Sequence, residues 1–301
     1  MSVELRSPRL DELTELTAFI NRDAIELYGK PEENVDSIRM WLTGPKLDPE
    51  RDIRVALVDG AFRGYVDVGP DPEPIYWGDL RVPPSEGDDV RVALIDWIEA
   101  RAKEQGGELL RCHTASTDDA MQKLLAARGY RVVRHFYRMR IELDGIVAEP
   151  DWPEGVTVRS ATRDDVETAY ETHQESFEDH WEFAPMPFEE WAHVFLDAAW
   201  FDPTLWFLVE DGGEAAAVAL NREHEGESGL GWISVLGVRK QWRRRGLGRA
   251  LLLHSFHEFA RRRFHAAALG VDADSLTGAN RLYESAGMRV IRRSDVYERA
   301  L

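Results

Sequence analysis

The 301-residue sequence predicts an α/β (α+β) protein of two tandem domains, each a mixed, twisted central sheet flanked by helices. Three observations carry this. The halves open alike: Val3-Glu-Leu-Arg-Ser-Pro-Arg-Leu-Asp-Glu-Leu matches Val156-Thr-Val-Arg-Ser-Ala-Thr-Arg-Asp-Asp-Val position by position. They close alike, Arg128-Gly-Tyr-Arg-Val-Val-Arg against Ala286-Gly-Met-Arg-Val-Ile-Arg. Between these ends the order of apolar stretches and breakers repeats. A period this long excludes a solenoid and points to a duplicated domain.

Each opening segment reads as a short alternating strand, a turn and an acidic first helical turn. Ile53–Leu57 and Leu205–Val209 read as strands ending at Asp59-Gly60 and Asp211-Gly212-Gly213. Strands follow near Tyr65–Val68 and Ala216–Leu220, then strands ending at Val82 and Val238. Amphipathic helices come next, Val90–Lys103 and Gly248–Arg262. Two more strands and a helix complete each unit. That last helix stops at Gly129 or Gly287, where the left-handed C-cap suits glycine. "DGIVAEPDWPEGV", Asp144 to Val156, has linker composition. The domains are therefore set at 1–147 and 154–301.

The composition, 44% hydrophobic and 31% charged, is that of a soluble globular protein. The longest apolar runs, such as Ala250–Leu253, are too short to span a bilayer, and the N-terminus has no apolar signal core. Cys112 is the only cysteine, which excludes an intrachain disulfide and a cysteine-based zinc site; it reads as a small buried apolar residue. A cytoplasmic location without membrane attachment is expected. The formal charge of −18 argues against a nucleic-acid-binding surface. It suits either a solvated acidic surface or attraction of a cationic small molecule. His254 and His257 lack the i, i+4 spacing of a helical metal pair and read as structural, so no metal is expected. Arg261–Arg263 close a helix, where cations favour the dipole.

Against this acidic background "QWRRRGLGRALL", Gln241 to Leu252, stands out. With the preceding "ISVLGV" it runs strand, basic turn, glycines, helix. A helix N-terminus presents unpaired N–H groups and partial positive charge, a natural anion seat. Gly246 and Gly248 let backbone approach an anion, and Arg243, Arg244, Arg245 and Arg249 add charge around it. The P-loop pattern GxxxxGK[ST] and the dinucleotide fingerprint GxGxxG are both absent.

The pattern Arg243-x-x-Gly246-x-Gly248 after "VLGV" resembles the acyl-CoA signature of the GCN5-related N-acetyltransferases (GNAT). Further on, "LGVDADSLTGANRLYESAGM" resembles the family's closing strand and helix, with the spacing Ala279-x-x-x-Tyr283-Glu-x-x-Gly287. The resemblance covers the whole C-terminal half by motif and the N-terminal half by layout. The tandem organisation resembles that of the actinobacterial mycothiol synthases.

The resemblance implies acetyl transfer from acetyl-CoA, as cosubstrate, to a primary amine of a small molecule in a ternary complex. Alternatives are a mycothiol synthase-type acceptor, or a non-catalytic acyl-CoA-binding sensor or scaffold. Backbone of Leu236, Gly237 and Val238 would pair with pantetheine, the Leu236 amide polarising the thioester carbonyl. Amides of Arg243, Arg244, Arg245, Gly246, Leu247, Gly248 and Arg249 would hold the pyrophosphate, and Tyr283 would protonate the departing thiolate. The family's pantetheine-binding asparagine falls near Ser275 or Leu276, with Asn280 one turn on. Where many relatives carry a carboxylate before "VLGV", Trp232 stands. "SFEDHWEFAPM" supplies Asp179, His180 and Glu182 to hold or deprotonate the amine, with Glu182 chosen as base. In the first half the turn "VPPSEGDDVRVALIDW" offers Glu86, Gly87, Asp88 and Asp89 in place of arginines, and Leu125 stands where Tyr283 does. That half is expected to have lost the acyl-CoA site and to be a structural partner or one wall of the acceptor cleft. Acceptor identity and oligomeric state are left open.

Overall fold

A computed structural model describes residues 2–45, 47–70, 73–145, 148–197, 201–275 and 277–301. The chain divides into two compact units, one of Met1–Phe136 with Arg293–Leu301 and one of Tyr137–Arg292. No helix among the described residues is long and apolar enough to cross a membrane.

Unit 1 contains β1 (Glu4–Arg6), α1 (Leu13–Tyr28), α2 (Val35–Thr43), β2 (Ile53–Val58), β3 (Ala61–Pro70), β4 (Ile75–Arg81), α3 (Asp88–Glu104), β5 (Leu109–Ala115) and α4 (Asp119–Ala127). Its sheet runs β1-β2-β3-β4-β5 and ends on the last residues of β12 (Arg289–Ala300). The period-two alternation of β2 explains its layers. Ile53, Val55 and Leu57 pack with Leu16, Ile20, Ile38 and Leu42 of α1 and α2. Ala56 and Val58 pack on the other face with Leu94 and Ile98 of α3. The parallel pairing of β4 with β5 holds from Ile75↔Leu109 to Gly78↔Cys112, and the ladder ends there.

Unit 2 repeats the plan. After β6 (Arg131–Glu142) come β7 (Val156–Ser160), α5 (Val166–Phe177), α6 (Phe188–Phe195), β8 (Trp206–Asp211), β9 (Glu214–Glu223), β10 (Leu230–Val238), α7 (Leu247–Arg261), β11 (Ala266–Asp272) and α8 (Ala279–Ser285). The strand order is β6-β11-β10-β9-β8-β7. Trp206 and Leu208 face α5 and α6, whereas Phe207 and Val209 face α7. Helices α2 and α6, which the repeat pattern does not mark, fill one face of each sheet.

Both closing glycines are left-handed, Gly129 at φ 86° and Gly287 at φ 97°. Met288 N–H donates to Tyr283 O at 3.0 Å and Gly287 N–H to Glu284 O at 3.0 Å; Tyr130 to Leu125 and Gly129 to Ala126 repeat this at 3.1 and 3.0 Å. These are paired Schellman bonds in the same register. They place Leu125 of unit 1 at the position of Tyr283 in unit 2.

The unit boundary differs from the linker read in the sequence. It falls inside β6 and β12, between Phe136 and Tyr137 and between Arg292 and Arg293. Each strand is 12 residues long, about twice the usual length. A repeat shows the order of elements but not which sheet the far half of a long strand joins. Residues 146 and 147, within the expected linker, lie outside the described residues.

Candidate active site

Parallel pairing of β10 with β11 runs from Leu230↔Ala266 to Ile233↔Leu269 and stops, while antiparallel pairing with β9 continues to Val238↔Ala217. A bulge at Ser234, between Ile233 and Val235, marks the change. It also reverses the strand's facing. Ile233 packs toward α7 and Val235 toward α5 and α6, with Leu236 and Val238 back on the α7 side. Arg239 N–H donates to Ala216 O at 3.0 Å. Ladder alternation then aims the Gly237 and Val235 amides at β9 and those of Leu236 and Val238 at the open edge. So Leu236 presents its N–H where the strands part. Gly237 is required by packing: a Cβ there would lie 2.7 Å from the Ser176 Cβ and 3.4 Å from the Phe177 ring.

The basic turn leaves that edge directly. Arg244 at φ 63° and Gly246 at φ 88° are both left-handed, the kind of conformation that can turn neighbouring N–H groups to one side. A left-handed arginine is strained, as happens at functional sites. The first helical bond of α7 is Ala250 N–H to Gly246 O at 3.0 Å, leaving the amides from Leu247 to Arg249 without intrahelical acceptors. Gly246 has no atom within 4 Å of an added Cβ, so its left-handed φ is what asks for glycine. Gly248 instead admits Leu282, whose Cδ1 would sit 3.3 Å from a Cβ.

The arginines divide. Arg243 donates to Val238 O at 3.0 Å, to Ser176 O at 2.9 Å and to both carboxylate oxygens of Asp179. It ties the end of α5 to the end of β10. Arg245 is paired with Asp211 at 2.6 Å, which also accepts from Trp242 Nε1 at 3.0 Å. Among the described residues Arg244 and Arg249 make no hydrogen bond or ion pair. These two guanidinium groups are the ones left to meet an anion.

Tyr283 is 8% exposed, in the cluster with Leu253, Phe256 and Leu269. Its hydroxyl has no hydrogen-bond partner among the described residues, and burial pushes the phenol up to about 12. It stays protonated and neutral throughout the physiological range. Asn280 donates to Asp272 O at 3.1 Å and Ala273 O at 2.8 Å, holding the end of β11. Its Oδ1 is buried and unpartnered. Ser275 Oγ lies 2.9 Å from Thr277 Oγ1; Leu276 lies outside the described residues.

Residues 166–288 match the model of the acetyltransferase (GNAT) family. A Streptomyces griseus protein named mycothiol acetyltransferase is 32% identical over 244 residues, 76% of this chain and 74% of its own length. The chain belongs to the GNAT acetyltransferase family. A Thermobispora bispora mycothiol acetyltransferase is 32% identical over 193 residues, 62% of this chain, which spans 65% of that relative's length. Among solved structures, a GCN5-related N-acetyltransferase from Sphaerobacter thermophilus superposes with a TM-score of 0.81 at 27% identity, covering 99% of this chain and 95% of its own. A tandem GNAT protein from the clavulanic acid biosynthesis pathway shares the fold, with TM-score 0.79, 13% identity and 99% and 98% coverage.

After α5 of this GNAT protein, the residues expected at the acceptor site part company. Glu182 is exposed on a turn at φ 49°, and Asp179 is engaged by Arg243. His180 lies with its ring 4.2 Å from that of Phe177, the side chain that abuts Gly237. Desolvation there is the first cause lowering its pKa from the ordinary imidazole value, partly offset by Asp179. Trp232 faces away from α7 but is enclosed by cations, Arg138 at 4.6 Å and Arg222 at 5.9 Å from its ring centre. Phe177, which joins His180 to the strand edge, was not singled out in the sequence. Its signal is its place in α5, one position after Ser176, the other contact of Gly237. Among the described residues no group of three His, Cys, Asp or Glu is placed to hold a metal ion.

Unit 1 of the protein treats the corresponding turn oppositely. Arg91, 1% exposed, donates to the carbonyls of Pro83, Pro84 and Glu86. Ser85 gives its amide and hydroxyl to Glu26 at 2.9 and 2.8 Å. Glu86 is paired with Arg22 and Arg63, and Gly87 at φ −74° is not left-handed. The turn is tied to itself by Arg91, and Glu86, Asp88 and Asp89 stand where unit 2 carries arginines.

Proposed function

We propose that unit 2 transfers the acetyl group of acetyl-CoA directly to a primary amine of a small molecule. The observation that carries this is the open edge at Leu236–Val238. It runs straight into the left-handed turn and free amides that start α7, in the same unit as a buried, unpartnered phenol at Tyr283. The fit to the cosubstrate is by donor chemistry. Amides from Arg244 to Arg249, with the Arg244 and Arg249 guanidinium groups, would hold the pyrophosphate. Backbone of Leu236, Gly237 and Val238 would accept pantetheine as an added strand. The Leu236 N–H would hydrogen-bond the thioester oxygen as negative charge grows on it. Tyr283 would give its proton to the departing thiolate, a task worth about 10²-fold.

An amine of pKa near 10 is about one part in a thousand neutral at pH 7, an apparent cost of roughly 4 kcal/mol. We assign the proton acceptor to His180 in preference to Glu182. Its depressed pKa keeps it neutral near pH 7, and its contact with Phe177 sets it beside the strand edge. Ser275 and Asn280 would flank the pantetheine, and Asp179 and Trp232 would bound the amine's approach. A mycothiol-type acceptor is the second reading, supported by the names of the relatives. A cytoplasmic location belongs to the same reading, in keeping with the free, buried Cys112 thiol.

The test is a thiol-release assay over a panel of amines, beside calorimetric titration with acetyl-CoA. Tyr283→Phe is expected to lower kcat about 10²-fold with acetyl-CoA affinity unchanged, and His180→Gln to remove the acidic limb of the kcat profile. If Glu182→Gln removes that limb instead, the base is Glu182. Acetyl-CoA binding without turnover of any amine would turn the reading into an acyl-CoA sensor.

A further inference from the structure

Unit 1 keeps a cavity of about 730 Å³ where β4 and β5 part after Gly78. Its chemistry is not that of an acyl-CoA site. Four carboxylates line it, Asp23, Asp67, Asp79 and Asp118, against one guanidinium, Arg81. Asp67 and Asp79 are direct partners across the β3–β4 ladder, close enough to repel each other when both are charged. Asp79 is bonded by Arg81 at 2.9 Å, Asp67 by the Tyr65 hydroxyl at 2.8 Å and Asp118 by the Met121 amide at 3.0 Å. Asp23, the one charged residue among those α1 buries, is 2% exposed and lines the cavity without a hydrogen bond or ion pair among the described residues. A buried carboxylate left without a partner is costly.

We propose that this cavity of unit 1 binds a small organic polyammonium ion, with Asp23 as its central anchor. The excess of carboxylate over guanidinium calls for positive charge. A volume within the range of ligand pockets calls for a molecule rather than a bare ion. The walls supply the rest. Trp41 and Trp77 both line the cavity; a guanidinium already stands by each ring, Arg81 at 5.6 Å from the Trp41 centre and Arg111 at 5.8 Å from that of Trp77, so the rings offer apolar wall to the methylene stem of the ion. Trp77 is held by stacking on His113 at 4.7 Å. The carboxylates come from separate elements, Asp67 and Asp79 from the sheet, Asp23 from α1 and Asp118 from the N-cap of α4, which suits two or more ammonium groups on one flexible stem. Burial raises both Asp23 and Asp67 to about 7. Glu26, Asp79 and Asp118 add to the rise at Asp23 while Arg81 opposes it. Asp79 adds to it at Asp67, and Tyr65 and Arg81 oppose it. An arriving cation favours the ionised forms, so binding strengthens as pH rises from 6 to 8.

This site is independent of the acetyl-transfer reading, and the experiment keeps them apart. The full chain is titrated calorimetrically with spermidine at low salt, without acetyl-CoA. The expected result is binding that tightens from pH 6 to pH 8, weakens at least tenfold in Asp23→Asn and persists in a Gly246→Asp variant altered in unit 2. Trp41→Leu, which removes one wall, serves as the second variant should Asp23→Asn fail to fold, and is expected to weaken binding as well. Absence of heat with spermidine, or an isotherm unchanged by Asp23→Asn and Trp41→Leu, overturns the proposal. Displacement by an equal concentration of magnesium also overturns it, by making the site one for metal ions.

Discussion

Burial raises the Asp23 carboxyl to about 7, from about 3.9 for an exposed aspartate. Between those values the folded chain holds a proton that the unfolded chain has released. Stability therefore falls as pH rises through that window and levels off above 7. The loss is at most about 4 kcal/mol, from 1.36 kcal/mol per pH unit. Asp23→Asn removes the titration, so the variant is expected to melt above the wild-type protein at pH 8, with the advantage shrinking toward pH 4. Thermal melts across pH check this; a variant less stable at every pH would show that Asp23 makes a favourable contact in the folded state. In the expected case stability and cation binding move in opposite directions, the usual trade at a site kept for function. Asp23 was not singled out in the sequence, although a signal was there. It sits three and four positions beyond Ile20 and Phe19, on the face α1 buries, and a carboxylate at such spacing is itself a signal.

At the scale of elements, the glycines of unit 2 separate two physical demands. Gly237→Ala sets a Cβ 2.7 Å from the Ser176 Cβ, a rigid atom on α5 that cannot swing aside. The helix must move off β10, at an expected cost of about 1–3 kcal/mol. Gly246→Ala meets no atom within 4 Å and pays only for a left-handed alanine, roughly 1–2 kcal/mol. Denaturant melts are expected to rank Gly237→Ala as the more damaging to stability. The opposite ranking would mean that the fit of α5 on β10 is loose. Sequence placed these glycines correctly beside the strand and the helix. It did not separate their reasons, because a tight contact between α5 and β10 is made by residues far apart in the chain.

For the whole molecule, the division into units decides what can fold alone. A fragment of residues 1–147 lacks Ser294–Ala300, the strand that pairs with β5 from Ala115 to Leu109. It also loses Tyr297, which packs in the core under α3. That fragment is expected to bind a hydrophobic dye and to melt without cooperativity. Joining residues 293–301 to its end by a flexible linker is expected to restore a cooperative transition. Cooperative melting of the bare fragment would show that β5 does not need its partner.

The sequence by itself determined the duplicated plan, the order of elements apart from α2 and α6, both Schellman glycines and the basic turn before α7. Each of these is written in local chemistry: backbone conformations that favour glycine, strand alternation, and charge at a helix start. Only the tertiary structure decided which arginines remain free, because Asp179 and Asp211 reach Arg243 and Arg245 from distant elements. It alone showed that Gly237 is fixed by Ser176, that β12 completes unit 1, and that Asp23, Asp67, Asp79 and Asp118 line one cavity. Those outcomes depend on which distant side chains meet, and pairing across the fold is set by packing of whole faces rather than by any short stretch of chain.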